Sequence, residues 1–237
     1  MDGLRTWDQY ATRWAGLHGG VDPRSGSASV EHWLRMSYRI GRLLARIKVK
    51  PSLLTTAGLV CNALVVIVTA QHRFWPIVAA GLVVLSGIMD TLDGTVAVIT
   101  NRVTRLGYVY DSVADRLGEA AWVAALWLIG APGWLAVLVG GLAWLHEYLR
   151  ARATAAGMAE IGIVTLGERP SRLILIVIGL VLSGVSGLVA IDLPAGTATI
   201  VAAVFVLLGV VGLIQLLGAV QTALTGPPRG YREPPQS

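Results

Sequence analysis

The sequence predicts an all-α membrane protein with six transmembrane helices, preceded by amphipathic interfacial helices. Three observations carry this prediction. The composition is 54% hydrophobic and 14% charged, with a mean hydropathy of +0.66, which lies outside the range of an ordinary soluble domain. Six apolar runs reach the ~20 residues that a bilayer core demands. Four carboxylates, Asp90, Asp93, Asp111 and Asp115, sit among those runs, where a lone charge costs at least about 2.5 kcal/mol. The chain therefore divides into N-terminal interfacial helices and a linker (1–50), a six-span domain that carries the chemistry (51–225) and a disordered tail (226–237) with four prolines.

Residues 4–17 place Leu4, Trp7, Tyr10, Ala11, Trp14 and Leu17 at helical spacing. This pattern predicts a short helix lying at the level of the lipid headgroups. Residues 1–30 contain no apolar stretch of the kind a secretory signal needs. Gly19 to Ser29 reads as a linker. From Val30 to Ile47 an apolar stripe (Trp33, Met36, Ile40, Leu43, Leu44, Ile47) lies beside a basic one (Arg35, Arg39, Arg42, Arg46), as in a helix lying in the interface.

The spans are expected at 52–71, 75–99, 107–130, 133–156, 171–191 and 197–224. Their connections at His72-Arg73, Ala131-Pro132 and Leu193 to Gly196 are nearly free of positive charge. The other set is basic: the N-terminal region, Arg102 with Arg105, Arg150 to Arg172, and Arg229 with Arg232. The positive-inside tendency puts both termini and the acidic residues on the cytoplasmic side of the cell membrane.

The net charge of +5 suits anionic lipid or anionic substrates. The basic residues follow the span edges instead of forming one soluble patch, which argues against nucleic acid. The single cysteine, Cys61, is expected to pack in the core. Trp75, Trp122, Trp127, Trp134 and Trp144 read as interface-belt and packing residues. His146 and Glu147 interrupt an apolar span near its end, where they are expected to sit half-wet.

The chemistry is expected in the second and third spans. On a helix, Asp90, Asp93, Gly94 and Ala97 share one face, and Gly107, Asp111, Asp115 and Gly118 share another. The short stretch from Thr100 to Arg105 makes the two helices antiparallel neighbours whose acidic faces meet near one membrane surface. An all-oxygen donor set suits Mg²⁺ or Mn²⁺, and the absence of Cys and His from it argues against zinc. Two such ions about 3.5–4 Å apart form a clamp for displacement at phosphorus. Gly94, Ala97 and Gly107 leave room for a ligand to approach the backbone. Arg150, Arg152, Arg169 and Arg172 flank the fourth and fifth spans. They read equally as a phosphate grip and as interfacial anchors. A divalent-cation transporter lined by the four acids is the competing class.

The pattern D-x-x-D-G-x-x-A from Asp90 to Ala97, followed by Gly107, Asp111 and Asp115, resembles the signature of the CDP-alcohol phosphotransferase family. Pro51-Ser-Leu-Leu-Thr55 is similar to that family's P-(N/D)-x-x-T opening, with Ser52 as the departure. The resemblance implies two divalent ions held by Asp90, Asp93, Asp111 and the shared or outer ligand Asp115, which also serves as general base. It further implies CDP-diacylglycerol as donor, CMP as leaving group and a homodimer.

The run Tyr148-Leu-Arg150-Ala-Arg152-Ala to Gly157, with Glu168-Arg169-Pro170-Ser-Arg172, resembles the actinobacterial branch that makes phosphatidylinositol phosphate. That implies inositol 1-phosphate as acceptor, bound by Arg152 and Arg172, with Arg150 and Arg169 in support. Glycerol 3-phosphate is the alternative acceptor. A second family position departs: Val98 stands where an arginine is usual. Arg102, four residues on, is the residue expected to compensate; an inactive, binding-only relative is the other implication.

Overall fold

The computed structural model describes residues 4–17, 22–25, 28–158 and 165–225, and every regular element among them is helical. The elements are α1 (Trp7–Leu17), α2 (Ala28–Arg46), α3 (Pro51–Thr69), α4 (Trp75–Ile99), α5 (Arg105–Ile129), α6 (Gly133–Ala155), α7 (Arg169–Val189) and α8 (Leu193–Thr225). The expected tail, with Arg229 and Arg232, and much of the 19–29 linker lie outside the described residues.

Local sequence sets the helix ends. Prolines stand in the first turns of α3, α4 and α7, where a missing N–H leaves no bond unmade. Thr104 caps α5, its hydroxyl accepting from the Gly107 N–H at 3.0 Å. Gly130 ends α5 at φ 126°, a conformation that disfavours a side chain.

The six long helices depart from chain order at two places, where α4 packs on α7 and α6 packs on α8. Each of the pairs α3–α4, α4–α7, α7–α8, α8–α6, α6–α5 and α5–α3 is in contact, which closes the six long helices into a ring. All six contribute to one core, from Val65, Val83 and Trp122 through Val139 and Ile176 to Phe205. Four of them (α3, α4, α7, α8) are long and apolar enough to cross a membrane. α5 and α6 have the length, at 25 and 23 residues, but carry charges such as Asp111, Asp115, Arg116, Glu119, Glu147 and Arg150.

The ring corrects one expectation. α4 and α5 are joined by a five-residue loop (100–104), yet they barely pack on each other, because α3 lies against both. Their acidic side chains meet beside α3 instead of across a helix–helix seam.

A second correction concerns α1. Its aromatic stripe faces the protein, not the headgroups. Tyr10 is 1% exposed and Ala11 fully buried, and Trp7, Tyr10 and Tyr38 pack with ring centroids 5.4–5.8 Å apart. The Tyr10 hydroxyl lies 3.2 Å from Thr95 Oγ1, and Arg5 bonds the Ile99 carbonyl and Asn101 Oδ1. Burial pushes the Tyr10 phenol up, so it stays neutral. The aromatic bulk of α1 thus finds a dry partner in α2 and α4, which lipid headgroups would not provide.

α2 keeps the expected arrangement. It buries Leu34, Ser37, Tyr38, Gly41 and Ala45 and leaves Trp33, Met36, Ile40, Leu43 and Ile47 exposed. Of the tryptophans, Trp122 is buried with its Nε1–H donating to Asn62 Oδ1 at 2.8 Å, while Trp75, Trp127, Trp134 and Trp144 face outward.

Candidate active site

The acidic residues converge inside the ring at the Asp90 level. Carboxylate oxygens of Asp90, Asp111 and Asp115 all lie within 4.8 Å of one another. The spacing explains this: Asp111 and Asp115 are one turn apart on α5, and Asp90 projects from α4 into the same space.

Asp93 does not join the trio. It is buried and accepts a hydrogen bond from Thr55 Oγ1 at 2.5 Å. It does line the same small cavity, which Thr55, Asn62, Ser86, Asp90, Asp111, Asp115 and Arg169 also line. Pro51-Ser-Leu-Leu-Thr55 therefore matters to the site, because it sets Thr55 against Asp93.

The carboxylates fit a divalent cation. Three of them present oxygens at one point from two helices, and Asp111 Oδ1 is buried with no hydrogen-bond partner. An orphaned carboxylate oxygen in such a place costs about 1–3 kcal/mol or more unless something fills its lone pairs. Oxygen donors of this kind suit hard ions such as Mg²⁺ and Mn²⁺.

Beside the acids opens a cleft of about 790 Å³. Asp90, Asp93 and Asp111 lie on its wall with Gly94, Ala97, Gly107 and Arg102. A side chain built on Gly94 would meet nothing within 4 Å, so the backbone there is open to a ligand, as expected. Trp14, Leu17 and Trp33 of α1 and α2 make an apolar wall for the same cleft. A volume of this size with acids at one side and aromatics at another suits an amphiphile.

Val98 has a physical reason in this structure. It is 5% exposed, packed with Tyr10, Tyr38, Ala45 and Ile99 under the docked α1 and α2. An arginine there would put a guanidinium into an aromatic cluster. We expect Val98→Arg to lower stability by about 1–3 kcal/mol, read as a fall in Tm in detergent, with no gain in affinity for a CDP-lipid. A variant that melts like the parent and binds the lipid more tightly would contradict this packing. Arg102 is exposed at the cleft mouth, one helical turn's worth of chain beyond Val98.

The arginine segment divides four ways. Arg169 sits inside the acidic cluster: Nη1 is 2.6 Å from Asp90 Oδ2 and Nη2 is 2.7 Å from Asp115 Oδ1. Arg150 pairs with Glu168 at 2.6 Å. Arg152 is exposed with no carboxylate partner among the described residues.

Arg172 is the departure from expectation. Instead of standing free for a phosphate it is buried. Its Nε and Nη2 reach Glu119 Oε1 at 2.9 and 2.8 Å, Nη2 reaches Glu147 Oε1 at 2.9 Å, and Nη1 donates to the Gly167 carbonyl at 2.5 Å. Arg116 completes the group as an ion pair to Glu119 Oε2 at 3.1 Å and to Glu147 at 3.4 Å. Glu147, its side chain 29% exposed, is half-wet as expected and also joins this charge network. His146 is 1% exposed and bonds the Thr165 hydroxyl at 3.0 Å.

Sequence reading missed Glu119 and Arg116. A signal existed, since Asp111, Asp115 and Glu119 repeat every four residues on one face of α5. The loop that presents Arg169 is fixed by a close approach. A Cβ on Gly212 of α8 would stand 2.5 Å from the Gly167 nitrogen, so only glycine admits this contact.

The fold and the carboxylate site together define a helical membrane protein with a candidate divalent-metal centre. The sequence model of CDP-alcohol phosphatidyltransferases matches residues 48–225, and the chain belongs to that family. It is 33% identical to the phosphatidylinositol phosphate synthase of Mycobacteroides abscessus over 211 residues, covering 84% of this chain and 90% of the relative. It is 33% identical over 165 residues to the Corynebacterium glutamicum enzyme of the same name, covering 65% of this chain and 72% of that one. Among solved structures, the Mycobacterium tuberculosis phosphatidylinositol phosphate synthase with CDP-DAG bound superposes with a TM-score of 0.62 at 25% identity, over 84% of this chain and 99% of that one. The same enzyme in complex with manganese and citrate gives a TM-score of 0.64 at 24% identity, over 84% and 93%.

Proposed function

We propose that the protein transfers a phosphatidyl group from CDP-diacylglycerol to a phosphorylated polyol, inositol 1-phosphate first among them, with release of CMP. The observation that carries this reading is the convergence of Asp90, Asp111 and Asp115 beside a cleft that Asp90 and Asp111 also line and whose other wall is apolar. Such a cleft matches a donor with a charged pyrophosphate and acyl chains. Similarity to enzymes named phosphatidylinositol phosphate synthases supports the acceptor, and the M. tuberculosis complex with CDP-DAG supports the donor.

Asp90, Asp93, Asp111 and Asp115 would hold two Mg²⁺ or Mn²⁺ ions. Bound there, the ions neutralise charge that builds on the phosphoryl oxygens. Asp115 takes the proton of the acceptor hydroxyl, the acceptor oxygen attacks the β-phosphorus, and the bond to the CMP oxygen breaks. Gly94, Ala97 and Gly107 let the nucleotide lie close to the backbone, and Arg102 offers a cation at the cleft mouth. Arg150, Arg152 and Arg169 bind the acceptor's phosphate. Arg172 joins them only by exchanging Glu147, its more exposed partner, for that phosphate.

The same proposal includes α5 and α6 as the third and fourth of six spans, supported by their length and their share of the common core. It also places both termini and the cleft on the cytoplasmic face of the cell membrane, from the distribution of Lys and Arg, and pairs two copies as a homodimer.

Purified protein with Mn²⁺ and CDP-diacylglycerol should release CMP when inositol 1-phosphate is added. Glycerol 3-phosphate, free inositol and serine serve as the comparison acceptors. Faster release with glycerol 3-phosphate would move the assignment to phosphatidylglycerophosphate synthesis. Release equal with free inositol would remove the arginines from acceptor recognition. Mn²⁺ uptake into liposomes without CMP release would point to a transporter.

A further inference from the structure

We propose that Arg169 is the internal counter-ion of the metal-free acidic cluster, and that metal loading displaces it so that it becomes free to bind the acceptor's phosphate. The inference rests on the reading of the acids as a metal centre.

Arg169 opens α7, and its side chain is 16% exposed. Its two Nη groups bridge Asp90 and Asp115, two of the three carboxylates whose oxygens converge. Without a cation, Asp90, Asp93, Asp111 and Asp115 would be four like charges around one small cavity, and among the described residues a single guanidinium is the positive group bonded to them. A divalent ion that binds these oxygens meets Arg169 as a like charge at close range. Both cannot occupy the point between Asp90 Oδ2 and Asp115 Oδ1.

The displaced side chain has a destination. Arg169 follows Glu168 directly, and Glu168 holds Arg150, two residues before exposed Arg152 on α6. A guanidinium that leaves the acids at this position joins the other arginines of the segment. Its Nε, buried without a hydrogen-bond partner while bridging the acids, would gain one on a phosphate. Metal and phosphate affinities are then coupled, and coupling is reciprocal: each ligand tightens the other by the same factor.

The sign of one measurement separates this from the obvious alternative, in which Arg169 stays in place and braces the carboxylates behind the ion. Mn²⁺ binding without substrate, followed by the loss of the free-ion electron paramagnetic resonance signal, is compared in the parent and in Arg169→Gln. The variant is expected to bind Mn²⁺ at least about fivefold more tightly, the lower end of ordinary coupling, and to melt lower than the parent when no metal is present. The parent's affinity for inositol 1-phosphate should rise by a similar factor on adding Mn²⁺, and that rise should vanish in the variant.

Arg169→Lys keeps the charge but reaches only one carboxylate, so it should fall between the two. It serves as the readout if Arg169→Gln does not fold. Equal or weaker Mn²⁺ binding in the variants overturns the proposal, as does a phosphate affinity in the parent that ignores Mn²⁺. Either result leaves CMP release intact as a separate test of the reaction. Absence of Mn²⁺ binding in every chain removes the metal centre and this inference with it.

Discussion

Asp115→Asn should cut CMP release by about 10²–10⁴-fold, the usual contribution of general-base catalysis, while binding Mn²⁺ and CDP-lipid better than Asp90→Asn does. The amide keeps the size of the carboxylate and one oxygen for a ligand, yet it cannot take a proton. Asp115 is partly buried in the site and shares Arg169 with Asp90, so the substitution leaves Arg169 anchored on Asp90. Asp90→Asn instead weakens the corner where α4 meets the cavity, and metal binding should fall with turnover. The two variants are distinguished by measuring Mn²⁺ binding and single-turnover CMP release on the same preparations. Near-normal turnover in Asp115→Asn would take the proton-acceptor role away from this residue.

The second large effect is on stability. Arg172→Ala should destabilise the protein by about 3 kcal/mol or more, the cost of leaving buried charge without its partner. Arg172 ties Glu119 of α5, Glu147 of α6 and the Gly167 carbonyl to α7. Arg116 remains near both glutamates after the change, which keeps the loss at the lower end of the range. Arg172→Lys should recover only part of it, because one ammonium cannot reproduce a planar fork that meets three acceptors. The Tm in detergent reads the effect. A melting point unchanged in Arg172→Ala would mean that the four charges are hydrated and contribute little.

Much of this protein was legible along the chain. Apolar run length placed each long helix to within a few residues; the second span, expected at 75–99, is α4 (Trp75–Ile99). The acid spacing nominated Asp90, Asp93, Asp111 and Asp115, of which all but Asp93 converge, and the small residues Gly94, Ala97 and Gly107, which line the cleft. The α2 stripe was legible for the same reason: exposed apolar and basic faces follow helical period.

What chain order could not supply was who stands beside whom. A hydrophobic stripe states that a face is buried and not against what, so α1 with Trp7, Tyr10 and Trp14 read as lipid-facing, whereas it docks on α2 and α4. Val98 is a departure from a motif on paper and a buried contact under Tyr10 and Tyr38 in space. The arginines were equivalent by composition. Tertiary packing alone committed Arg172 to Glu119 and Glu147, Arg169 to Asp90 and Asp115, and left Arg152 exposed. The sequence by itself determined helices, apolar faces and the residue types of the site, because these depend on short-range periodicity and on the bilayer as solvent. Only the ring of helices decided the pairing of charges, because a buried ion takes as partner whichever opposite charge the packing brings within reach, at any distance along the chain.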